Sequence, residues 1–354
     1  MFDQFTGVKP VEERHRLDAA RLDAWMRANV EGYAGDLVIE QFKGGQSNPT
    51  YRLTSGGKRY ALRRKPPGKL LPSAHAVDRE FKVIRALHST GFPVARPYAL
   101  CEDDGVIGTM FYVMDCVEGR VLWDQSLPGM QPAERRAIWE ELNRVMALLH
   151  AVDYAKVGLG DYGKPGNYIG RQVDRWTKQY RASETVKIEA MDNLIDWLPK
   201  NIPAGDETCV VHGDYRLDNT IFHPTEPRIL AVLDWELSTL GHPLADFAYH
   251  AMSWYIPPGQ FRGIAGLDHA ALGIPTEQEY VAMYCRRTGR GEIDPSTWNY
   301  YVAYNLFRLA AILQGIAKRV LDGTAASAHA ADAGQRAPLL AELGWKQVER
   351  ILKR

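Results

Sequence analysis

Little in this chain points to a membrane, a nucleic acid or a disulfide framework. The 354 residues include four cysteines, Cys101, Cys116, Cys209 and Cys285, and no two of them form C-x-x-C. That argues against a zinc ribbon or a thiol redox motif and leaves buried thiols in a reducing compartment. Lys plus Arg and Asp plus Glu each number 43, so the formal net charge is zero. Without a basic excess there is no electrostatic footprint for nucleic acid or an anionic membrane. No apolar run reaches the roughly 20 residues that a membrane helix needs. The first residues, "MFDQFTGVKPVEERHRLD", carry charge where a signal peptide would have its apolar core. The expectation is a cytoplasmic protein long enough for two lobes, with its oligomeric state open.

What is present changes character near residue 117. Leu17, Leu22, Trp25, Met26 and Val30 predict a helix over 15–31. Short β-rich runs follow: "LVIEQFKGG", "TYRLTSGGKRYALRR" and "MFYVMDCVEG", the second turning at Ser55-Gly56-Gly57-Lys58. Between the last two runs, Val77, Phe81, Ile84, Ala86 and Leu87 predict a helix stopped by Gly91, with Pro93 beyond. After Gly119, helical periodicity dominates: 132–152, 168–183, 184–202, Glu277–Thr288, Trp298–Leu321 and 338–352. The stretch 322–337 is small and polar and reads as a loop. The expected architecture is α+β: an N-terminal lobe (1–117) with an antiparallel sheet and one main helix, then a larger, mostly helical C-terminal lobe (118–354).

One region breaks the helical pattern. "VVHGDYRLDNTIF" (210–222) ends an apolar run in His212-Gly213-Asp214 and places Asn219 five residues later. "RILAVLDWE" then ends a second apolar run in Asp234-Trp235-Glu236. The step from Asp214 to Asn219, followed by a strand that delivers Asp234, matches the spacing of H-R-D-x-x-x-x-N and D-F-G in protein kinases. Phosphoryl transfer needs one carboxylate to orient an acceptor hydroxyl and take its proton, which suits Asp214 as catalytic base. It also needs oxygen ligands for Mg²⁺, which suits Asn219 and Asp234. Taken singly, Asp214 and Asp218 also fit turn or capping residues.

These motifs, together with Gly241-His242-Pro243-Leu244-Ala245-Asp246-Phe247-Ala248, closely resemble the aminoglycoside phosphotransferase and choline kinase superfamily. The resemblance implies a bilobal protein-kinase-like fold over nearly the whole chain, with ATP and Mg²⁺ as cofactors. It implies that His212 and Asp246 support the catalytic loop structurally. The short interval from Asp234 to Asp246 leaves no room for the activation segment of a protein kinase.

A kinase-like fold makes demands on the N-terminal lobe. "FKGGQSNPTYRL" offers Gly44, Gly45, Ser47 and Asn48 as a phosphate-covering loop, though it is not G-x-G-x-x-G and also fits a plain hairpin turn. Arg63 stands in the register of the usual β-strand Lys and can chelate phosphate with its planar fork; a solvated basic strand end is the other reading. Glu80, on the N-lobe helix, is the candidate partner of that cation. Met114, Asp115 and Cys116 lie in the segment expected to offer backbone groups to adenine.

The resemblance implies a small hydroxylated molecule as acceptor. Trp254, Tyr255 and Arg262 lie in an aromatic stretch that fits either a pocket or ordinary packing. "LRRKPPGKLLPSAHAVDREFKVIRAL", "GNYIGRQVDRWTKQY" and "GIPTEQEYVAMYCRRTGR" resemble the subgroup that includes the kinase-like domain fused to vertebrate acyl-CoA dehydrogenases. That resemblance implies phosphorylation of 4-hydroxyacyl-CoA thioesters, with Arg171, Arg175 and Lys178 as possible phosphate contacts. Those three also fit a solvated helix face. The alternatives are an aminoglycoside or aminoalcohol kinase, and a nucleotide-binding pseudokinase that regulates a partner.

Overall fold

The computed structural model describes residues 7–43, 48–66, 75–323 and 334–354. The chain divides into two compact units, neither continuous in sequence. The first comprises Met1–Trp123, Tyr154–Tyr162 and Asp218–Ser238; the second comprises Asp124–Asp153, Gly163–Leu217 and Thr239–Arg354. Together they make an α+β fold of the kinase-like class.

The first unit is built on an antiparallel sheet of β1 (Val8–Lys9), β2 (Val38–Phe42), β3 (Thr50–Ser55), β4 (Lys58–Arg64), β5 (Pro97–Cys101) and β6 (Phe111–Asp115). Their order is β1-β2-β3-β4-β6-β5. The β3–β4 hairpin closes Ser55 on Lys58, and Gly56 and Gly57 both hold positive φ (56° and 79°). That is the conformation a two-residue turn requires and glycine adopts without strain. Alternation sends Tyr51, Leu53, Tyr60, Leu62, Phe111 and Val113 into one core, with Leu22 and Met26 of α1 (Ala19–Asn29). The intervening residues Arg63 and Tyr112 face α2 (Val77–His88) on the other side. A short α3 (Asp104–Ile107) follows β5.

Of the later strands, β7 (Cys209–Val211) and β10 (Thr239–Gly241) pair within the second unit, while β8 (Thr220–Phe222) and β9 (Ile229–Val232) pair within the first. Gly119 packs against this second hairpin. A Cβ there would lie 2.2 Å from the Phe222 carbonyl, where Arg120 and Phe222 exchange two backbone hydrogen bonds of 2.8 Å.

The second unit holds α4 (Pro132–His150), α5 (Tyr168–Ser183), α6 (Glu189–Trp197), α7 (Pro243–Ala251), α8 (His269–Leu272), α9 (Glu277–Thr288), α10 (Pro295–Leu321) and α11 (Ala337–Leu352). Every residue of α10 from Trp298 to Ala311 is buried, as expected of a helix packed on all sides; α5, α7 and α11 lie against it. Among the described residues, no helix is long and apolar enough to cross a membrane.

The structure departs from the sequence expectations at element ends. Residues 15–18 are not part of α1, because Asp18 caps it by accepting from Arg21 N–H. α6 is shorter than 184–202: Glu184 and Ile188 are extended, and a 3₁₀ turn takes Leu198–Lys200. α10 starts three residues earlier than Trp298, where Asp294 caps and Pro295 occupies the first turn. The two-residue β1 carried no periodic signal. Of the loop expected at 322–337, residues 324–333 lie outside the described residues.

Candidate active site

In the first unit the polar cluster centres on Arg63. Its guanidinium lies 2.7 Å from Glu80, 2.9 Å from Asp234 and 3.6 Å from Glu236. Glu80 is buried and also accepts from Asn48 Nδ2 (2.9 Å) and Tyr112 Oη (3.1 Å). Burial pushes the Glu80 carboxyl up against the pull of Arg63. Burial also opposes the Arg63 charge, but Glu80, Tyr112, Asp234 and Glu236 outweigh it and raise its pKa, so the guanidinium stays charged.

Asn219 and Asp234 sit at one end of the β8–β9 hairpin. Thr220 pairs with Val232, and one step on, Leu233 N–H donates to Asn219 O at 2.8 Å. Asp234 then adopts left-handed backbone (φ 63°, ψ 63°), uncommon for a residue with a Cβ. Its side chain keeps 34% exposure. Trp235 anchors the turn, its indole N–H donating to Val232 O (3.0 Å) and its ring meeting Phe92 edge-on. An amide and a carboxylate are hard oxygen donors of the kind Mg²⁺ takes. The donor set fits the ion.

In the second unit, β7 runs into His212-Gly213-Asp214. The buried Asp246 of α7 accepts His212 N–H on Oδ2 (2.7 Å) and Gly213 N–H on Oδ1 (2.8 Å). His150 Nε2 lies 3.2 Å from the same carboxylate and is held in turn by Tyr284 (2.7 Å). Burial would raise the Asp246 carboxyl, but His150 and the His212 backbone hold it below the usual range. His212 braces the loop from within, its Nδ1 accepting Asp214 N–H (3.2 Å). Gly213 has φ +81°, and its carbonyl accepts from Arg308 Nη2 (2.8 Å). Asp214 accepts from Tyr249 Oη on Oδ1 (2.6 Å) and meets Arg216 Nη2 at Oδ2 (3.2 Å).

The other expected residues are placed as follows. Gly44, Gly45 and Ser47 lie outside the described residues. Asn48 is buried between Glu80 and His75 (Oδ1···Nδ1 2.9 Å), so its side chain faces the Arg63 cluster. Met114 and Asp115 end β6, and the N–H groups of Asp115 and Cys116 donate to Arg96 O (2.9 Å) and Arg59 O (3.4 Å). Trp254 is core: it packs on Trp139 (4.7 Å) and Tyr280 (4.8 Å), and its indole N–H donates to Pro275 O. Tyr255 Oη donates to Glu277. Arg262 stacks on Phe261 at 5.1 Å. Arg171 binds the carbonyls of Lys164 and Gly166, Arg175 covers Trp176, and Lys178 pairs with Asp174. Sequence reasoning missed Tyr249, Arg308, Tyr112 and His150. The available signals were Tyr249 three residues after Asp246, and Arg308 alone in the apolar run "LFRLAAIL".

Comparisons with known proteins bear on the family and the fold. The family model described as "Phosphotransferase enzyme family" matches residues 38–292. Acyl-CoA dehydrogenase family member 10 of Mus musculus is 46% identical over 342 residues, 96% of this chain and 32% of that protein. Acyl-CoA dehydrogenase family member 11 of Rattus norvegicus is 45% identical over 349 residues, 96% of this chain and 44% of that protein. The chain thus spans less than half of either relative. A crystal structure from Ralstonia eutropha, classed with the aminoglycoside phosphotransferases, superposes with TM-score 0.88 at 62% identity, covering 95% of this chain and 99% of that one. Choline kinase from Cryptosporidium parvum (TM-score 0.68, 12% identity, 95% and 97% covered) shares the fold.

Proposed function

The chain belongs to the phosphotransferase enzyme family, and we propose that it transfers the γ-phosphoryl group of ATP to a hydroxyl of a small molecule, with hydroxyacyl-CoA thioesters as the acceptor class. The observation that carries the reading is Arg63 holding Glu80 and Asp234 at once. A charged planar fork suited to phosphate oxygens lies beside a carboxylate suited to the metal that accompanies them. Asn219 and Asp234 would hold Mg²⁺, which when bound neutralises phosphate charge. Asp214 orients the acceptor hydroxyl and takes its proton as the acceptor oxygen bonds to the γ-phosphorus and the bond to the ADP oxygen breaks. Asp246, by gripping the His212 and Gly213 amides, keeps Asp214 at a fixed point after β7.

The acceptor class is supported by the identity to parts of acyl-CoA dehydrogenase family members. The basic side chains do not add to that support, since Arg171 and Lys178 are engaged locally, and Arg64 is buried over Tyr51. The Ralstonia relative keeps an aminoglycoside acceptor as the second reading.

The test is an ADP-release screen with Mg²⁺-ATP against hydroxyacyl-CoAs, aminoalcohols and aminoglycosides, run on wild type and Asp214→Asn. The expected result is turnover of a hydroxyacyl-CoA that falls roughly 10²-fold or more in the variant. Turnover of an aminoglycoside alone would replace the acceptor class. Nucleotide binding without turnover of any acceptor would favour the pseudokinase, and equal rates in the two enzymes would remove Asp214 as base.

A further inference from the structure

Resting on the reading of Asp214 as base, we infer that Tyr249 and Arg308 form a positioning pair that holds the Asp214 carboxylate in one orientation for proton acceptance. Asp246 and Tyr249 lie three residues apart on α7, hence on one face of that helix. The helix therefore grips the catalytic loop twice: Asp246 takes the amides of His212 and Gly213, and Tyr249 Oη donates to Asp214 Oδ1 at 2.6 Å. Tyr249 is itself buried. Burial first, then the charge of Asp214, raises its pKa, so the phenol is a donor and no competing base.

Arg308 supports the pair from α10. It donates to Gly213 O at 2.8 Å, and its guanidinium covers the Tyr249 ring at 5.0 Å and the Trp176 ring at 5.7 Å. The side chain is buried, its Nε lacks a hydrogen-bond partner, and among the described residues no carboxylate pairs with it. A buried cation without a counter-ion is costly unless something offsets it. Here the offset comes from Tyr304, Tyr168, Tyr249 and the charge of Asp214, in that order, and from the Tyr249 and Trp176 ring faces. The groups that face Asp214 include Arg216 and His212 on its own loop, Tyr249 on α7, and Arg308 behind Tyr249 on α10. Neither Tyr249 nor Arg308 is assigned contact with substrate; both act through Asp214.

The experiment measures steady-state ADP release with Mg²⁺-ATP, using a 4-hydroxyacyl-CoA as acceptor and, in a parallel arm, water. The enzymes are wild type, Tyr249→Phe, Arg308→Lys, Arg308→Met, Asp214→Asn and the double variant Tyr249→Phe/Asp214→Asn. Tyr249→Phe is expected to lower kcat by about 10-fold while KM for ATP stays within about twofold, because only the orientation of the base is lost. Arg308→Met follows it, and Arg308→Lys recovers most of the rate by restoring charge. In the Asp214→Asn background, Tyr249→Phe causes no further loss, since residues acting through one group are not additive. Wild-type kcat in Tyr249→Phe, or the same fold-loss in both backgrounds, overturns the inference and leaves the base reading standing. An Asp214→Asn enzyme as active as wild type overturns the base reading and the positioning claim with it.

Discussion

Arg63 Nε lies 2.7 Å from Glu80 Oε2, joining β4 to α2 by a buried ion pair. The pair is architecture, and under the proposed function also machinery, because the same guanidinium reaches Asp234. Removing one partner of a buried pair leaves an uncompensated charge, which costs about 3–5 kcal/mol. Arg63→Ala is therefore expected to lower unfolding free energy by that order and to raise KM for ATP. Urea titration and initial-rate kinetics check the two effects separately. Unchanged KM and kcat would refute the phosphate-clamp role.

Asp234→Ala removes the half-buried carboxylate at the end of the β8–β9 hairpin. Calorimetric titration of wild type with ATP is expected to give tighter binding with Mg²⁺ than with EDTA. In the variant that difference collapses, with Arg63 and Glu80 still in place. A variant that keeps the full Mg²⁺ dependence would move the metal site elsewhere.

Asp246→Asn tests the grip on the loop. An amide can accept from only one of the two backbone N–H groups that the carboxylate serves, and it sets a donor against the other. kcat is expected to fall by roughly 10²-fold with a lower thermal midpoint. The loss of a charge-assisted bond is worth about 1.5–3 kcal/mol.

Stability should also depend on pH through two buried histidines. Burial pushes His242 and His250 each down to about 4. His242 caps α7, accepting Leu244 N–H on Nδ1, and stacks on Tyr301 at 4.9 Å; His250 Nε2 meets Tyr280 Oη at 2.8 Å. Both are neutral in the fold and protonate near 6.5 when unfolded. The unfolded state therefore binds more protons between about 6.5 and 4, and stability falls as pH falls through that window. The loss is on the order of 3 kcal/mol per histidine at its lower end. Urea midpoints at pH 7.5, 6 and 5 should decline in that order, and less steeply in His242→Asn, which keeps a capping side chain. A flat series would contradict the burial argument.

Gly119→Ala probes close approach. The added methyl would sit 2.2 Å from the Phe222 carbonyl and 2.6 Å from Ile221, so backbone must move. A loss of roughly 2–4 kcal/mol is expected by denaturation.

The candidate site was legible in the sequence wherever residue type and spacing were both constrained. Asp214, Asn219 and Asp234 followed from the step of five and from two apolar runs ending in acid. The Arg63–Glu80 pair followed from what a kinase-like fold demands of its N-lobe strand cation and helix. The helices declared themselves by period, and their ends moved by a few residues where caps such as Asp18 and Asp294 decided the boundary. What stayed hidden were contacts set by tertiary packing alone. Trp254 looked like a pocket wall because an aromatic run reads the same in a core and in a cleft. Tyr249 and Arg308 are 59 residues apart, and their meeting depends on how α7 packs on α10. Nor does any short-range pattern announce that 154–162 and 218–238 fold with the first unit.

That last feature bears on how such an enzyme can be taken apart. The unit that carries Arg63 is threaded from three pieces of chain, and its hairpin supplies both Asp234 and the Trp235 ring against Phe92. A fragment stopped at Trp123 would carry the cation without two of its three carboxylate partners, Asp234 and Glu236, and leave Phe92 uncovered. Chimaeras that aim to graft a new acceptor preference onto this nucleotide half therefore cannot use a single crossover. They must transplant three segments together, and the join after Leu217 falls between Asp214, proposed as the base, and Asn219, proposed as a metal ligand, so any residue added there breaks the sequence step of five.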